Sequence, residues 1–275
     1  MVENKNLRTI IHYLPIYGSF ATGLLYAAIG VMAMLSLLKI KEGGADESSM
    51  MAVMEDSIAG QIFIWIILTG GLCFVFWRII EAYKDPYNYG SGCIGIGRRI
   101  GIGLSSLADA FIVYSGIMVV FGATGIREDG EPEEEREMVG EMLEYGAGEY
   151  LIIAIGVLGV LVALVQFYYG VTKGYDEREE ISHFTSWKET LIHILAWAGY
   201  FARGIIIGII GYFYIEAGFD QNPEVIVNTD KAFNFIGEEV GKFAFAVVAI
   251  GTIFYGFFMF AMGVTYDHDN QEEKV

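Results

Sequence analysis

The chain has 275 residues and a formal charge of −17; 54% of its residues are hydrophobic and 19% charged. Soluble domains usually carry about 25% charged residues, and no basic patch offers itself to nucleic acid. Two cysteines, Cys73 and Cys93, make neither a disulfide framework nor a zinc pattern.

The apolar residues fall in six runs, roughly 12–38, 60–82, 99–122, 150–172, 191–217 and 243–265. A bilayer core of ~30 Å needs ~20 apolar residues as helix, and each run meets that length. Lipid leaves only helices or closed barrels able to satisfy the backbone, and the runs are too long for barrel strands of ~10 residues. The expected fold is all-α: one polytopic transmembrane domain over 1–275, with six transmembrane helices, its lipid bilayer being the first partner. The first run, apolar from Ile10 to Leu38, exceeds the 7–15 residues of a signal-peptide core and reads as a retained helix. Before the third run, Gly92, Gly95, Gly97, Gly101 and Gly103 lack the strand and spacing of a nucleotide loop and read as a flexible connection. After it comes the densest acidic stretch, Glu131 to Glu137. Such a block is ordinarily a solvated, self-repelling loop; its functional reading is an anionic vestibule that concentrates cations.

With the N-terminus inside, ten basic residues fall on the cytoplasmic side and six outside, apart from Arg203 within a helix. The positive-inside rule therefore places both termini in the cytoplasm of a multi-pass inner (cytoplasmic) membrane protein. The three outer connections hold 21 of the 34 acidic residues.

The odd runs align with one another. The first reads Gly18-Ser19-Phe20-Ala21-Thr22-Gly23, the fifth Gly199-Tyr200-Phe201-Ala202-Arg203-Gly204, and the third, more diverged, Ser105-Ser106-Leu107-Ala108-Asp109-Ala110. The even runs end near Asp85, Asp176 and Asp267, at equal intervals of 91. The expected plan is three parallel two-helix repeats, approximately 8–88, 89–180 and 181–270, in a pseudo-threefold arrangement about an axis along the membrane normal. Gly199 to Gly204 with Gly208 and Gly211, and Trp77-Arg78-Ile79-Ile80-Glu81-Ala82 through Asp85-Pro86, resemble the signature of a bacterial integral membrane family, domain of unknown function 1206. The resemblance covers essentially the whole chain and implies no established activity. Thr22 stands in the first repeat where the fifth run has Arg203.

Charges in mid-membrane cost ~2.5–3.5 kcal/mol each on the insertion scale. Asp109 and Arg203 sit ~15–18 Å into their helices, at the same repeat position as Thr22. A threefold arrangement brings the three toward one axis, as a buried Asp109–Arg203 ion pair with Thr22 nearby. Ser19, Ser106 and Tyr200 lie one turn earlier on the same face, and Tyr26 one turn later. The pair is read either as a clasp that fixes helix docking or as a conduction or binding site. His12, Arg99 and His193 occupy matched positions before the motif and form a basic ring at the cytoplasmic mouth, suited to lipid headgroups or to a pH-responsive gate. Arg78 and Glu81 can pair at i, i+3, with Arg78 expected to snorkel. Gln166 is expected to be satisfied within its packing. Gly204-xxx-Gly208 and Gly23-xxx-Ala27 are faces for close helix approach. Trp65, Trp77, Trp187, Trp197, Tyr150, Tyr168, Tyr169, Tyr212 and Tyr214 read as interfacial anchors.

No nucleophile triad, metal cluster or cofactor box is present in the sequence; Asp267-His268-Asp269 alone is poor grounds for a metal. An enzyme, for instance one acting on lipid, is disfavoured. The leading expectation is a channel or small transporter for inorganic cations or small solutes, with a polar central axis and acidic extracytoplasmic loops. The alternative is a structural or accessory membrane protein whose ion pair only docks the repeats. No partner protein is indicated.

Overall fold

The computed structural model describes residues 5–40, 44–46, 49–51, 54, 57–85, 89–121, 130–175 and 186–265. Its elements are helical: α1 (Lys5–Leu37), α2 (Ile58–Lys84), α3 (Cys93–Val120), the short α4 (Glu133–Leu143), α5 (Gly148–Thr172), α6 (Ser186–Asp220), a 3-10 turn (Pro223–Val225), α7 (Thr229–Phe235), a π turn (Ile236–Val240) and α8 (Lys242–Thr265). Five of these helices are long and apolar enough to cross a membrane: Tyr13–Leu37 of α1, then α2, α5, Trp187–Asp220 of α6, and α8. α3 is as long as α2 but carries Arg98, Arg99 and Asp109, and is not among the five.

The boundaries follow from local chemistry. Ser57 starts α2 by accepting the Gly60 amide at 3.0 Å, the usual N-cap bond. Lys39, Asp85, Lys173 and Gln221 take the left-handed conformation just past α1, α2, α5 and α6. Glycine usually holds that position; here polar side chains do, each at the end of an apolar run. Asp85 also accepts the Tyr89 and Gly90 amides, at 2.8 and 2.9 Å, and so turns the chain after α2. The glycine-rich stretch is not a loose connection: from Cys93 onward it is the first half of α3, since glycine lowers helix stability by roughly 1 kcal/mol without forbidding the helix.

The long helices close a ring in which α1 packs on α2, α2 on α3, α3 on α5, α5 on α6, α6 on α8 and α8 on α1; the α3–α5 contact is the least extensive. Small residues set the tightest approaches, as expected where lipid removes any hydrophobic drive between helices. Gly23 and Ala27 meet Gly256. Gly204 and Gly208 face Phe167 and Ala163 of α5, and Gly211 meets Gly156. Two contacts occur twice. A Cβ on Gly18 of α1 would lie 2.7 Å from the Phe74 Cβ of α2, and one on Gly199 of α6 would lie 2.7 Å from the Tyr255 Cβ of α8. Gly70 of α2 likewise abuts Ala21 of α1, and Gly251 of α8 abuts Ala202 of α6. The α1–α2 and α6–α8 pairs therefore pack by one rule, at one spacing in the sequence.

One end of the ring carries a folded cap built from its three longer connections. Asp230 accepts the Ala45 amide at 2.7 Å, Asn228 donates to the Gly130 carbonyl at 3.1 Å, and Lys231 meets Glu131 at 2.5 Å. Arg136 also binds Glu131, at 3.2 Å. Beneath these bonds Met50, Met51, Ile226 and Phe233 are buried. Much of the acidic stretch is thus helix rather than solvated loop: Glu133, Glu134 and Glu135 form the first turn of α4, where the helix dipole favours negative charge.

Candidate functional site: a charged pair beneath a cavity

Asp109 lies midway along α3 and Arg203 midway along α6, and both are buried. Arg203 Nη2 donates to Asp109 Oδ1 at 2.5 Å, and Nη1 donates to the Tyr255 hydroxyl of α8 at 3.1 Å. The guanidinium also lies over the Tyr26 ring of α1 and the Tyr255 ring, 5.2 and 5.3 Å from their centroids. Desolvated cation–π contacts reach about 2 kcal/mol, so two ring faces, one hydroxyl and one carboxylate together offset the burial of the cation. The pairing joins four helices of the ring.

Thr22 and Asp109 share the wall of a small cavity of about 20 Å3 with Ala21, Leu25 and Phe74. Thr22 thus lines the same small cavity as the carboxylate. Asp109 Oδ2 and Arg203 Nε make no hydrogen bond among the described residues. A second ion pair stands close by. Arg78 Nη1 bonds Glu81 at 3.1 Å, its guanidinium lies 4.8 Å from the Phe74 ring, and its charge reaches Asp109. Arg78 does not snorkel: it is buried, because Glu81 and Phe74 supply inside the bundle what the interface would otherwise supply.

Above the pair, toward the cap, lies a cavity of about 520 Å3. Arg203, Tyr26 and Tyr255 form its floor, aliphatic side chains of α5 and α6 its walls, and Asp46, Glu135 and Asn228 its capped end. Burial pushes the Glu135 carboxyl up. Burial also raises the Asp230 carboxyl, to about 6, with the neighbouring Asp46 charge adding to the shift. Below the pair the ring is filled. Tyr200 stacks on Tyr169 and Tyr175 and meets Tyr255 and Phe258, all of them buried.

The other sequence-selected residues are placed as follows. Ser19 is buried. Ser106 is buried with its hydroxyl on the Gly103 carbonyl of its own helix at 2.7 Å, and Tyr200 belongs to the aromatic plug. Arg99 donates from two nitrogens to the Ala82 and Tyr83 carbonyls at 2.7 Å, at the end of α2. His193 Nδ1 meets the Tyr175 hydroxyl at 3.0 Å, with Glu189 3.8 Å from its Nε2. His12 lies in α1, but its side chain is outside the described residues, as are Asp176, Asp267, His268 and Asp269. Gln166 is fully buried, yet its Nε2 has no hydrogen-bond partner among the described residues. Trp77, Tyr169 and Tyr214 are buried rather than interfacial, whereas Trp65, Trp187, Trp197, Tyr150, Tyr168 and Tyr212 are exposed. Cys73 and Cys93 are free thiols. Sequence reasoning missed Tyr255 as the second partner of Arg203; its signal was its place opposite Gly199, the same place Phe74 holds opposite Gly18.

Long apolar helices around a buried ion pair define an all-helical protein of membrane character. The profile of the family described as Domain of Unknown Function (DUF1206) matches residues 17–85 and again 198–266, which together make up half of the chain. The chain belongs to this family. It is also similar to "Uncharacterized protein YxxB" of Bacillus subtilis (strain 168), 26% identical over 257 residues that cover 93% of this chain and 91% of the relative. No solved structure matches it.

Proposed function

We propose that the protein is a small transporter of the cytoplasmic membrane whose pathway runs through the capped cavity to the Asp109–Arg203 pair. In this reading α3 is a sixth span, both termini are cytoplasmic and the acidic cap faces outward. The α3–α5 hairpin is the middle copy of a triplicated unit. The order of packing supports the threefold plan, since each odd helix of the three hairpins touches its own even partner and the even helix of another hairpin. Thr22, Asp109 and Arg203 then occupy equivalent positions near the axis.

The observation that carries the proposal is the one-sided cavity: about 520 Å3 open above Arg203, and an aromatic plug of Tyr169, Tyr175, Tyr200 and Phe258 below it. A site accessible from one side and closed on the other suits alternating access better than an open channel. Solute flux into liposomes tests it, wild type against Asp109→Asn. A flux that the substitution changes supports transport; no flux across cations, anions and small solutes in both proteins removes it.

A second reading, a purely structural clasp, is favoured by the partners Arg203 already has: one carboxylate, one hydroxyl and two ring faces. In that case Asp109→Asn and Arg203→Gln each destabilise the protein, and the double variant regains stability with no flux altered.

A further inference from the structure

We infer that the cavity above Arg203 binds a neutral lipophilic carbonyl compound, a quinone-like ring or an aryl ketone, which enters sideways from the bilayer between α3 and α5 and gives its carbonyl oxygen to Arg203. This deepens the transport reading and rests on it only in taking the cavity as the working site.

Three observations carry it. First, the cavity reaches the outer surface of the ring. Leu107 and Tyr114 of α3 and Ile155 of α5 line it and are also 47%, 52% and 37% exposed. They flank the least extensive contact in the ring. A molecule dissolved in the bilayer meets apolar side chains on this route, whereas the capped end presents the carboxylates of Asp46 and Glu135. Second, the floor presents a guanidinium with spare N–H groups: Arg203 lines the cavity, and of its five donors the bonds to Asp109 and Tyr255 take one each. A charged donor withdrawn from water gains when a ligand acceptor bonds it. Third, the charges select a neutral guest. Around the floor Arg203 is balanced by Asp109 and Arg78 by Glu81. A cationic head would face the Arg203 guanidinium, and an anionic one would share the cavity with Asp46 and Glu135. The volume falls in the range of sites for drug-sized molecules, ~300–1,000 Å3.

The test photolabels the purified full chain in detergent with an alkyl benzophenone, itself a lipophilic ketone, and maps the label by peptide mass spectrometry. The expected label falls on Leu107, Ile155 and Ile206, and Ala110→Trp abolishes it while leaving the protein monodisperse. Anthraquinone displaces the label at roughly tenfold lower concentration than anthracene, which has the same shape but no acceptor. Arg203→Lys keeps the positive charge beside Asp109 but lacks the planar fork of spare N–H donors, and reduces that difference to about twofold or less. Equal displacement by anthraquinone and anthracene overturns the inference. So does stronger displacement by dodecyltrimethylammonium, or label confined to outer-surface residues such as Phe76 and Phe257. Anthraquinone-selective binding without liposome flux upholds the ligand class and retires transport. A flux sensitive to Asp109→Asn without anthraquinone-selective binding overturns the ligand class alone.

Discussion

The α1–α2 and α6–α8 hairpins are built alike, and the α3–α5 hairpin between them is not. In the first two, a glycine on each helix lets the partner approach to within a methyl group: Gly18 with Phe74 and Gly70 with Ala21, Gly199 with Tyr255 and Gly251 with Ala202. In the third, a methyl added to Gly97 or Gly103 of α3 would have nothing within 4 Å, and α3 barely engages α5. The family profile matches the two tight hairpins and passes over the loose one. The difference separates labour. Close-packed hairpins form a scaffold that holds Arg203 and its tyrosines, and the loose hairpin contributes Asp109 and leaves room for the cavity.

The charged pair ties the loose hairpin to the scaffold, so breaking it gives the largest effect. Arg203→Gln or Asp109→Asn alone should lower stability by about 3–5 kcal/mol, because each leaves one buried charge unbalanced; SDS or thermal unfolding in detergent measures it. The double variant should recover most of the loss. If α3 were held as firmly as α1, the single variants would cost far less than this.

The cap offers a pH test. The Asp230 carboxyl titrates at about 6 when folded against ~3.9 unfolded, so the folded state holds its proton over that interval and the unfolded state does not. Stability should therefore fall as the pH rises from about 4 to about 6, by roughly 3 kcal/mol in all, and stay at the lower level above it. Asp46 and Lys231, the charged neighbours, act in opposite directions on this group. Asp230→Asn should flatten the profile, read as melting temperature against pH.

Glycine substitutions sharpen the comparison at smaller scale. Gly18→Ala and Gly199→Ala should each cost about 1–3 kcal/mol, since the new methyl meets the partner's backbone. Gly97→Ala and Gly103→Ala should instead stabilise by about 0.4–1 kcal/mol, because open space receives the methyl and the unfolded chain loses freedom. Equal penalties at all four positions would abolish the distinction between scaffold and loose hairpin.

Much of this was legible along the chain. Long apolar runs separated by acidic stretches announce membrane helices, since bilayer thickness and backbone satisfaction leave few other solutions. The register of Gly18 and Gly199 also aligned Thr22 with Arg203, and Asp109 with Arg203 does form the buried pair. Less was legible where side chains compete for several neighbours. Arg78 was expected at the interface; a glutamate one turn on and a phenylalanine one turn back hold it inside instead. The stretch from Glu131 reads as self-repelling until Arg136 and Lys231 are seen to meet it and the first turn of α4 to accept its charges.

What the sequence determined by itself is the all-helical class, the span-length helices and the repeated motif, because these depend on short-range periodicity and on the cost of an unpaired backbone in lipid. What only the tertiary structure decided is which helices close the ring, that two tyrosines from α1 and α8 face Arg203, that three connections fold into one cap, and that a cavity remains above the pair. Those outcomes depend on sub-ångström differences in helix approach, set by glycines and aromatic rings far apart in the chain, and no local pattern encodes them.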